Sequence, residues 1–254
     1  MNIDLTGKIA LVTGASGDLG RVMVRTLGQC GADIAVHYLK NSRKAFELAA
    51  EIESYGRRAI AVQADITDFD SILAMRSVVE EKLGTPDIIV DNAVIQYTWT
   101  SVLEQPAEDY ESQFRSCVMQ NVYMAKTFIP GMIKKGKGRF IGINTECINQ
   151  IAPTQSAYVA GKKGMDGVLR ILAKEVGEHQ ITVNQVAPGW TISDRDRAPD
   201  FGERERSGEY ESTVPLRRRG TDQEIANVVA FLASDLASYI TGALIPVCGG
   251  NVMP

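Results

Sequence analysis

Histidine is scarce in this 254-residue chain: only His37 and His179 are present. The four cysteines, Cys30, Cys117, Cys147 and Cys248, are widely spaced and form no CxxC pair. A zinc site needs clustered nitrogen and sulfur ligands, so no metal centre is expected. Scattered cysteines at this length also do not read as a disulfide framework, and reduced thiols of a cytoplasmic protein are expected instead. No apolar run approaches the roughly 20 residues that span a bilayer, so no membrane partner is expected. The opening stretch, MNIDLTGKIALVTG, lacks an apolar run followed by a small-residue cleavage site and does not read as a secretory signal. Positive charge is in deficit, with 27 Lys and Arg against 31 Asp and Glu. The net charge of −4 points to no nucleic-acid partner, although it permits a local basic site for a phosphate. Internal repeats and linkers rich in Pro, Gly or Ser are missing too. An apolar share of 44% excludes a disordered chain.

What is present is an alternation of strand and helix. Lys8 to Thr13 is a continuous apolar run, as expected of a strand covered on both faces. Glycines punctuate 14–20, and helical spacing follows from Leu19 to Cys30. Asp33 to Tyr38 and Ala59 to Gln63 read as the next strands, with an amphipathic helix from Ser42 to Tyr55 between them. Phe69 to Leu83 is a third helix and Asp87 to Val90 a fourth strand. A long helical pattern runs from about Pro106 to Ile133. Gly138 to Ile143, Ile181 to Val186 and Ala243 to Val247 complete the strands. Helices at Ser156 to Val176 and Asp222 to Ala233 separate them. This order predicts an α/β class, with one doubly wound, Rossmann-type domain over residues 1–254 and about seven parallel strands. One irregular, charged stretch, Trp190 to Val214, follows a strand end, where long loops are usually functional.

TGASGDLG, Thr13 to Gly20, joins the first strand to the first helix. Glycines at such a turn let backbone approach a pyrophosphate, and the helix N-terminus favours its charge. Farther along, YVAGK places Tyr158 and Lys162 at i and i+4 on one helix face. A free phenol, with a pKa of about 10, exchanges its proton poorly at neutral pH. A nearby ammonium lowers that value, so the pair is a candidate general acid and base.

With these motifs the chain resembles the short-chain dehydrogenase/reductase family over nearly its whole length. The resemblance implies direct hydride transfer between a nicotinamide and a carbonyl or secondary alcohol. It implies Asn121, Thr145, Tyr158 and Lys162 as the catalytic set. Thr145 stands for the family's Ser and holds the substrate oxygen, while Tyr158 moves the proton. Lys162 bonds the nicotinamide ribose and lowers the tyrosine pKa. Asn121, in QNVYMAK, holds a water linked to the lysine. Asn144 and Glu146 flank Thr145 where Ser and a small residue are common.

The resemblance assigns the cofactor to Gly14, Ser16, Gly17, Asp18, Leu19 and Gly20. Asp18 stands where the family has its middle Gly, so its carboxylate is expected to point away from the pyrophosphate or to cap the helix. Asp65 matches the adenine-contacting Asp, can also cap the following turn, and is followed by Ile66. Asn92 and Ala93 match NNAG, with Asp91 first and Val94 replacing the last Gly. Pro188, Gly189, Thr191 and Ser193 match the segment that contacts the nicotinamide. Substrate contacts are expected from Gln96, Thr145, Tyr158 and Trp190. Cys248 stands where Asp is frequent.

The second strand ends without the acid that would bond the ribose of NAD. Tyr38, Lys40, Asn41, Ser42 and Arg43 stand there instead, and cations and hydroxyls suit a 2′-phosphate, so NADP(H) is favoured. Residues 190–214 are expected to form the substrate lid, with Phe201 and Tyr210 as inner contacts. The resemblance is nearest to 3-oxoacyl-carrier-protein reductases and to sugar or polyol dehydrogenases. Lys134, Lys135 and Lys137 could serve a carrier protein, but His179 stands where an Arg is often found. A cofactor-binding module without turnover is the rival class. Helices near 106–133 and 156–176 resemble those that pair between subunits, which implies a homotetramer or at least a dimer.

Overall fold

The computed structural model describes residues 2–193, 196–197 and 207–253. Seven strands form one parallel sheet in the order β3-β2-β1-β4-β5-β6-β7. They are β1 (Ile9–Val12), β2 (Asp33–Tyr38), β3 (Ala59–Gln63), β4 (Ile88–Asp91), β5 (Gly138–Ile143), β6 (Ile181–Pro188) and β7 (Leu244–Val247). The central strands β1, β4, β5 and β6 are buried along their length, which explains their largely apolar sequences. The edge strand β7 is only half-buried.

Helices cover both faces. On one, α1 (Asp18–Gln29), α2 (Ser42–Ser54) and α9 (Asp222–Ala233) share a core with Val12, Val36 and Val90. On the other, α3 (Phe69–Lys82), α5 (Gln120–Lys135) and α7 (Ser156–Val176) close over Leu11, Ile89 and Phe140. Strands from both halves of the chain share this one sheet, as the alternation predicts. Short helices α4 (Ala107–Gln113), α6 (Cys147–Gln150) and α8 (Ser207–Thr213) complete the described elements, with three-residue turns of 3-10 helix. α6 and α8 carry too few turns to show a period and are not foreseen from the sequence.

The long helix expected over 106–133 is interrupted. Phe114–Met119 is a π-helical turn between α4 and α5. Two glycines of α7 make room for it. A Cβ on Gly161 would meet the Gln113 carbonyl oxygen at 3.0 Å, and one on Gly164 would meet Val118 at 2.7 Å. Hydropathy periodicity cannot register the one extra residue in such a turn.

Among the described residues no helix is long and apolar enough to cross a membrane. No group of three or more His, Cys, Asp or Glu there could hold a metal ion. The four cysteines are free.

Candidate active site

The strand order reverses beside β1 and β4, because β2 lies on one side of the pair and β5 on the other. Ligands of such sheets bind outside the carboxyl ends of the strands at this reversal. A cleft of about 790 Å³ opens there.

The glycine turn forms one wall. Gly14 has φ +61°, and a Cβ on it would lie 2.9 Å from the Ala93 Cα. A Cβ on Gly20 would fall 2.3 Å from the Gly14 carbonyl oxygen, so only glycine lets α1 start this close to the turn. Gly17 is the N-cap of α1 and provides no side-chain cap to the first-turn N–H groups. Ser16, Gly17, Leu19 and Gly20 line the cleft beside them. Such a cradle of uncapped amides at a helix start fits a pyrophosphate. Asp18 borders it, but its carboxylate pairs with Arg21 at 3.5 Å and makes no cap. Of the two expectations for Asp18, the cap is not formed.

His37 holds this turn in place, a role no motif in the sequence marks. The Gly14 N–H donates to His37 Nδ1 at 2.9 Å. The opposite ring nitrogen lies 3.0 Å from the Ala64 carbonyl oxygen, which requires Nε2 to carry the proton. Burial lowers the His37 pKa to about 4, keeping it a neutral acceptor. A histidine flanked by Val36 and Tyr38 inside a buried strand was the available signal.

Asn92 and Ala93 complete the turn. Their N–H groups donate to Thr13 Oγ1, and the Asn92 amide donates to the Thr13 and Gly14 carbonyls. Thr13 Oγ1 in turn donates to Asp91 Oδ1 at 2.8 Å. Gln120 Nε2 binds the same oxygen, while Asp91 Oδ2 is buried with no hydrogen-bond partner. Burial lifts this carboxyl to about 7.

At the β2 end, Lys40 and Asn41 line the cleft with Ile66. Asn41 Oδ1 accepts the Lys44 N–H as the N-cap of α2. Tyr38, Ser42, Arg43 and Asp65 are not part of the cleft lining. Arg43 pairs on the surface with Glu47 at 3.5 Å, and Tyr38 leans on Phe46. Asp65 Oδ1 accepts the Thr67 N–H and hydroxyl, and Asp68, not Asp65, caps α3.

Thr145, Tyr158 and Lys162 come together on the opposite wall with Asn144, Pro188 and Gly189. The Thr145 hydroxyl oxygen accepts the Cys147 N–H at 3.2 Å. Burial, reinforced by Cys147 and Cys117, pushes the Tyr158 phenol above its ordinary value, and Thr145 acts to lower it. The expectation that Lys162 lowers it is not met here. The Lys162 ammonium donates to the Ile143 carbonyl oxygen at 2.6 Å, and burial is the largest influence on the phenol. Trp99 stacks on the Tyr158 ring with centroids 5.7 Å apart.

Asn121 lies behind this wall, 1% exposed. Its amide donates to the Cys117 carbonyl oxygen, within the π turn, at 2.7 Å. Its Oδ1 is buried and has no partner, which suits an acceptor for a small polar molecule such as water.

Val94 and Gln96 line the cleft; Trp190, Thr191 and Ser193 do not. The Ser193 hydroxyl donates to Asp196 Oδ2 at 2.7 Å. Residues 194–195 and 198–206 of the expected lid, including Phe201, lie outside the described residues.

Comparison with known proteins shows the family of this chain. A family described as Enoyl-(Acyl carrier protein) reductase matches residues 14–251. This chain belongs to the short-chain dehydrogenase/reductase family. A 3-oxoacyl-[acyl-carrier-protein] reductase FabG of Pseudomonas aeruginosa is 35% identical over 99% of this chain and 100% of its own length. An L-rhamnose 1-dehydrogenase (NAD(P)(+)) of a Sphingomonas species is 32% identical over 97% of this chain and 96% of its own length. Among solved structures, a 7α-hydroxysteroid dehydrogenase complexed with NADH and 7-oxo glycochenodeoxycholic acid superposes with a TM-score of 0.91. It is 29% identical, and the match covers 100% of this chain and 97% of the other. A doubly substituted Serratia marcescens short-chain dehydrogenase/reductase gives 0.89 at 29% identity, covering 97% of this chain and 98% of the other. This short-chain dehydrogenase/reductase is therefore an enzyme acting on alcohol and ketone groups with a nicotinamide cofactor.

Proposed function

We propose that this enzyme transfers a hydride between NADP(H) and a small ketone or secondary alcohol, of 3-oxoacyl or related type. The observation that carries the reading is that Thr145, Tyr158 and Lys162 line the same cleft as the glycine cradle. The nicotinamide, when bound, supplies or accepts the hydride. Thr145 orients the carbonyl oxygen by a hydrogen bond, and Tyr158 donates its proton to that oxygen. Burial keeps the phenol protonated, the form a donor needs, and at the same time holds that proton more tightly than water does. Lys162, 3% exposed, has protons beyond the one bonded to Ile143 for the nicotinamide ribose. Asn121 Oδ1 holds the water that returns a proton by way of the lysine. The oxidative direction uses the same groups in reverse.

Lys40 is the group we assign to the 2′-phosphate, since it borders the cleft whereas Arg43 is drawn to Glu47. Lys40→Ala is expected to weaken NADPH binding roughly tenfold, or about 1.4 kcal/mol, and leave NADH unchanged. Fluorescence titration of both cofactors checks this. Tighter NADH than NADPH in the unaltered enzyme sinks the assignment.

A second reading is a sugar or polyol dehydrogenase. Lys135, one of the three lysines available to a carrier protein, is bonded to Asp87 at 2.6 Å and to the Thr85 carbonyl oxygen. That favours a free small substrate over a carrier-bound one, as does the L-rhamnose relative. NADPH oxidation or NADP reduction across 3-oxoacyl thioesters, small ketones, aldoses and polyols separates these readings. Cofactor binding without turnover on any of them supports a binding module instead. We place the enzyme in the cytoplasm as a homotetramer of single-domain chains, each with its substrate lid at 190–214. Sedimentation of the purified enzyme tests the assembly.

A further inference from the structure

We infer that Glu146 is a positioning residue that clamps helix α8, the chain leaving β6 and the C-terminal segment onto the strand end carrying Thr145. This rests on the proposed role of Thr145 at the substrate oxygen. Glu146 follows Thr145 directly and is 3% exposed. Its N–H donates to the Pro188 carbonyl oxygen at 2.9 Å. Oε1 accepts the Tyr210 hydroxyl at 2.9 Å, and that hydroxyl accepts the Trp190 N–H at 3.0 Å. Oε2 accepts the Asn251 amide at 3.1 Å. The Thr213 hydroxyl is shared between the Tyr210 carbonyl oxygen at 2.7 Å and the Asn251 oxygen at 3.1 Å.

The result is a closed ring of bonds. It passes from Glu146 to Asn251, to Thr213 at the end of α8, back along α8 to Tyr210, and again to Glu146. Both carboxylate oxygens are engaged by protein donors, so Glu146 offers neither a base nor a substrate contact. What it supplies is position. The joint is tightly packed: a Cβ on Gly189 would lie 2.5 Å from the Tyr210 hydroxyl. Tyr210 meets the Trp190 ring edge-on at 5.5 Å, and the Arg219 guanidinium lies 4.7 Å from the centre of that ring. Glu146 thus ties both Trp190 and α8, through Tyr210, to the strand end that carries Thr145. The sequence signal was Glu146 itself, an acid where the family commonly has a small residue.

The test uses the full chain, with acetoacetyl-coenzyme A as the carbonyl probe. Glu146→Gln leaves one acceptor oxygen for two donors, so it cannot accept from Asn251 and Tyr210 at once, and Tyr210→Phe removes the bond on the Tyr210 side. Each is expected to raise KM for the probe about tenfold, with kcat and the NADPH Kd within about twofold. Combining Glu146→Gln with Asn251→Asp exchanges donor and acceptor across the same pair and is expected to restore KM. Hydrogen exchange of the 207–213 amides should quicken in each single variant and recover in the combination. An unchanged KM in both single variants, no recovery in the combination, or equal damage to kcat and NADPH binding overturns the inference. Should the unaltered enzyme turn over no carbonyl, the exchange data still decide the clamp, and the proposed function alone falls.

Discussion

Tyr158→Phe is expected to reduce turnover by about 100- to 10,000-fold, the range by which positioned acids and bases accelerate reactions. The substitution removes one oxygen and keeps the ring. The stack on Trp99 survives, and no atom of the glycine cradle is disturbed. NADPH should therefore bind the variant nearly as tightly as the unaltered enzyme. The loss should appear in kcat and kcat/KM together, since the hydroxyl acts on the reacting oxygen. Following NADPH oxidation with saturating cofactor, alongside a separate binding titration, gives both quantities. Turnover left intact refutes the assignment of the acid. Lost NADPH binding would mean that the tyrosine serves the cofactor rather than the proton.

The second large effect concerns stability and pH. Asp91 has a folded pKa of about 7 against an ordinary 3.8, because it is wholly buried. The folded chain keeps a proton that the unfolded chain releases. The stability this contributes is full below about 3.8 and is lost as pH rises towards 7. At 1.36 kcal/mol per unit, the loss is on the order of 4 kcal/mol. His37 works the other way. Its folded pKa is lowered from 6.5 to about 4, so the unfolded chain takes up a proton first as pH falls. Its contribution is full above 6.5 and is lost towards pH 4, on the order of 3 kcal/mol. Between about pH 4 and 6.5 the two slopes oppose and largely cancel.

Asp91→Asn separates them. An amide keeps one oxygen to accept from Thr13 and Gln120, and it cannot ionise. The variant should melt higher than the unaltered enzyme at pH 8, by several degrees at about 2–4 °C per kcal/mol. The advantage should shrink as pH falls to 4, where Asp91 is already protonated. What then remains is the acid-side loss from His37. Melting curves at pH 8, 6 and 4 test this, and a difference independent of pH contradicts it.

Much of the site was legible because its chemistry depends on spacing along single elements. Tyr158 and Lys162 lie one helical turn apart, so their common face follows from the helix alone. Gly14, Gly17 and Gly20 sit between a strand and a helix, and the close approach they allow is local. His37 was not legible. Its importance comes from Gly14 and Ala64, which lie 23 and 27 residues away and meet it only because β2 lies between β1 and β3. Asp91 read as a small departure from a family motif, whereas burial against Thr13 and Gln120 makes it a titrating group. The π turn escaped notice because its cause is Gly161 and Gly164 on another helix.

The sequence by itself determined the class of fold, the parallel order of elements and the residue types proposed to carry the reaction. These follow from hydropathy periods and from short motifs whose members are near neighbours in the chain. Tertiary structure alone decided the protonation of the groups. Burial raises Tyr158 and Asp91 and lowers His37, and the Lys162 ammonium donates to a β5 carbonyl. It also decided which residues frame the substrate side, since Glu146, Tyr210 and Asn251 meet only when β5, α8 and the C-terminal segment are brought together. Charge and contact depend on distance and dielectric in three dimensions, and linear spacing encodes neither.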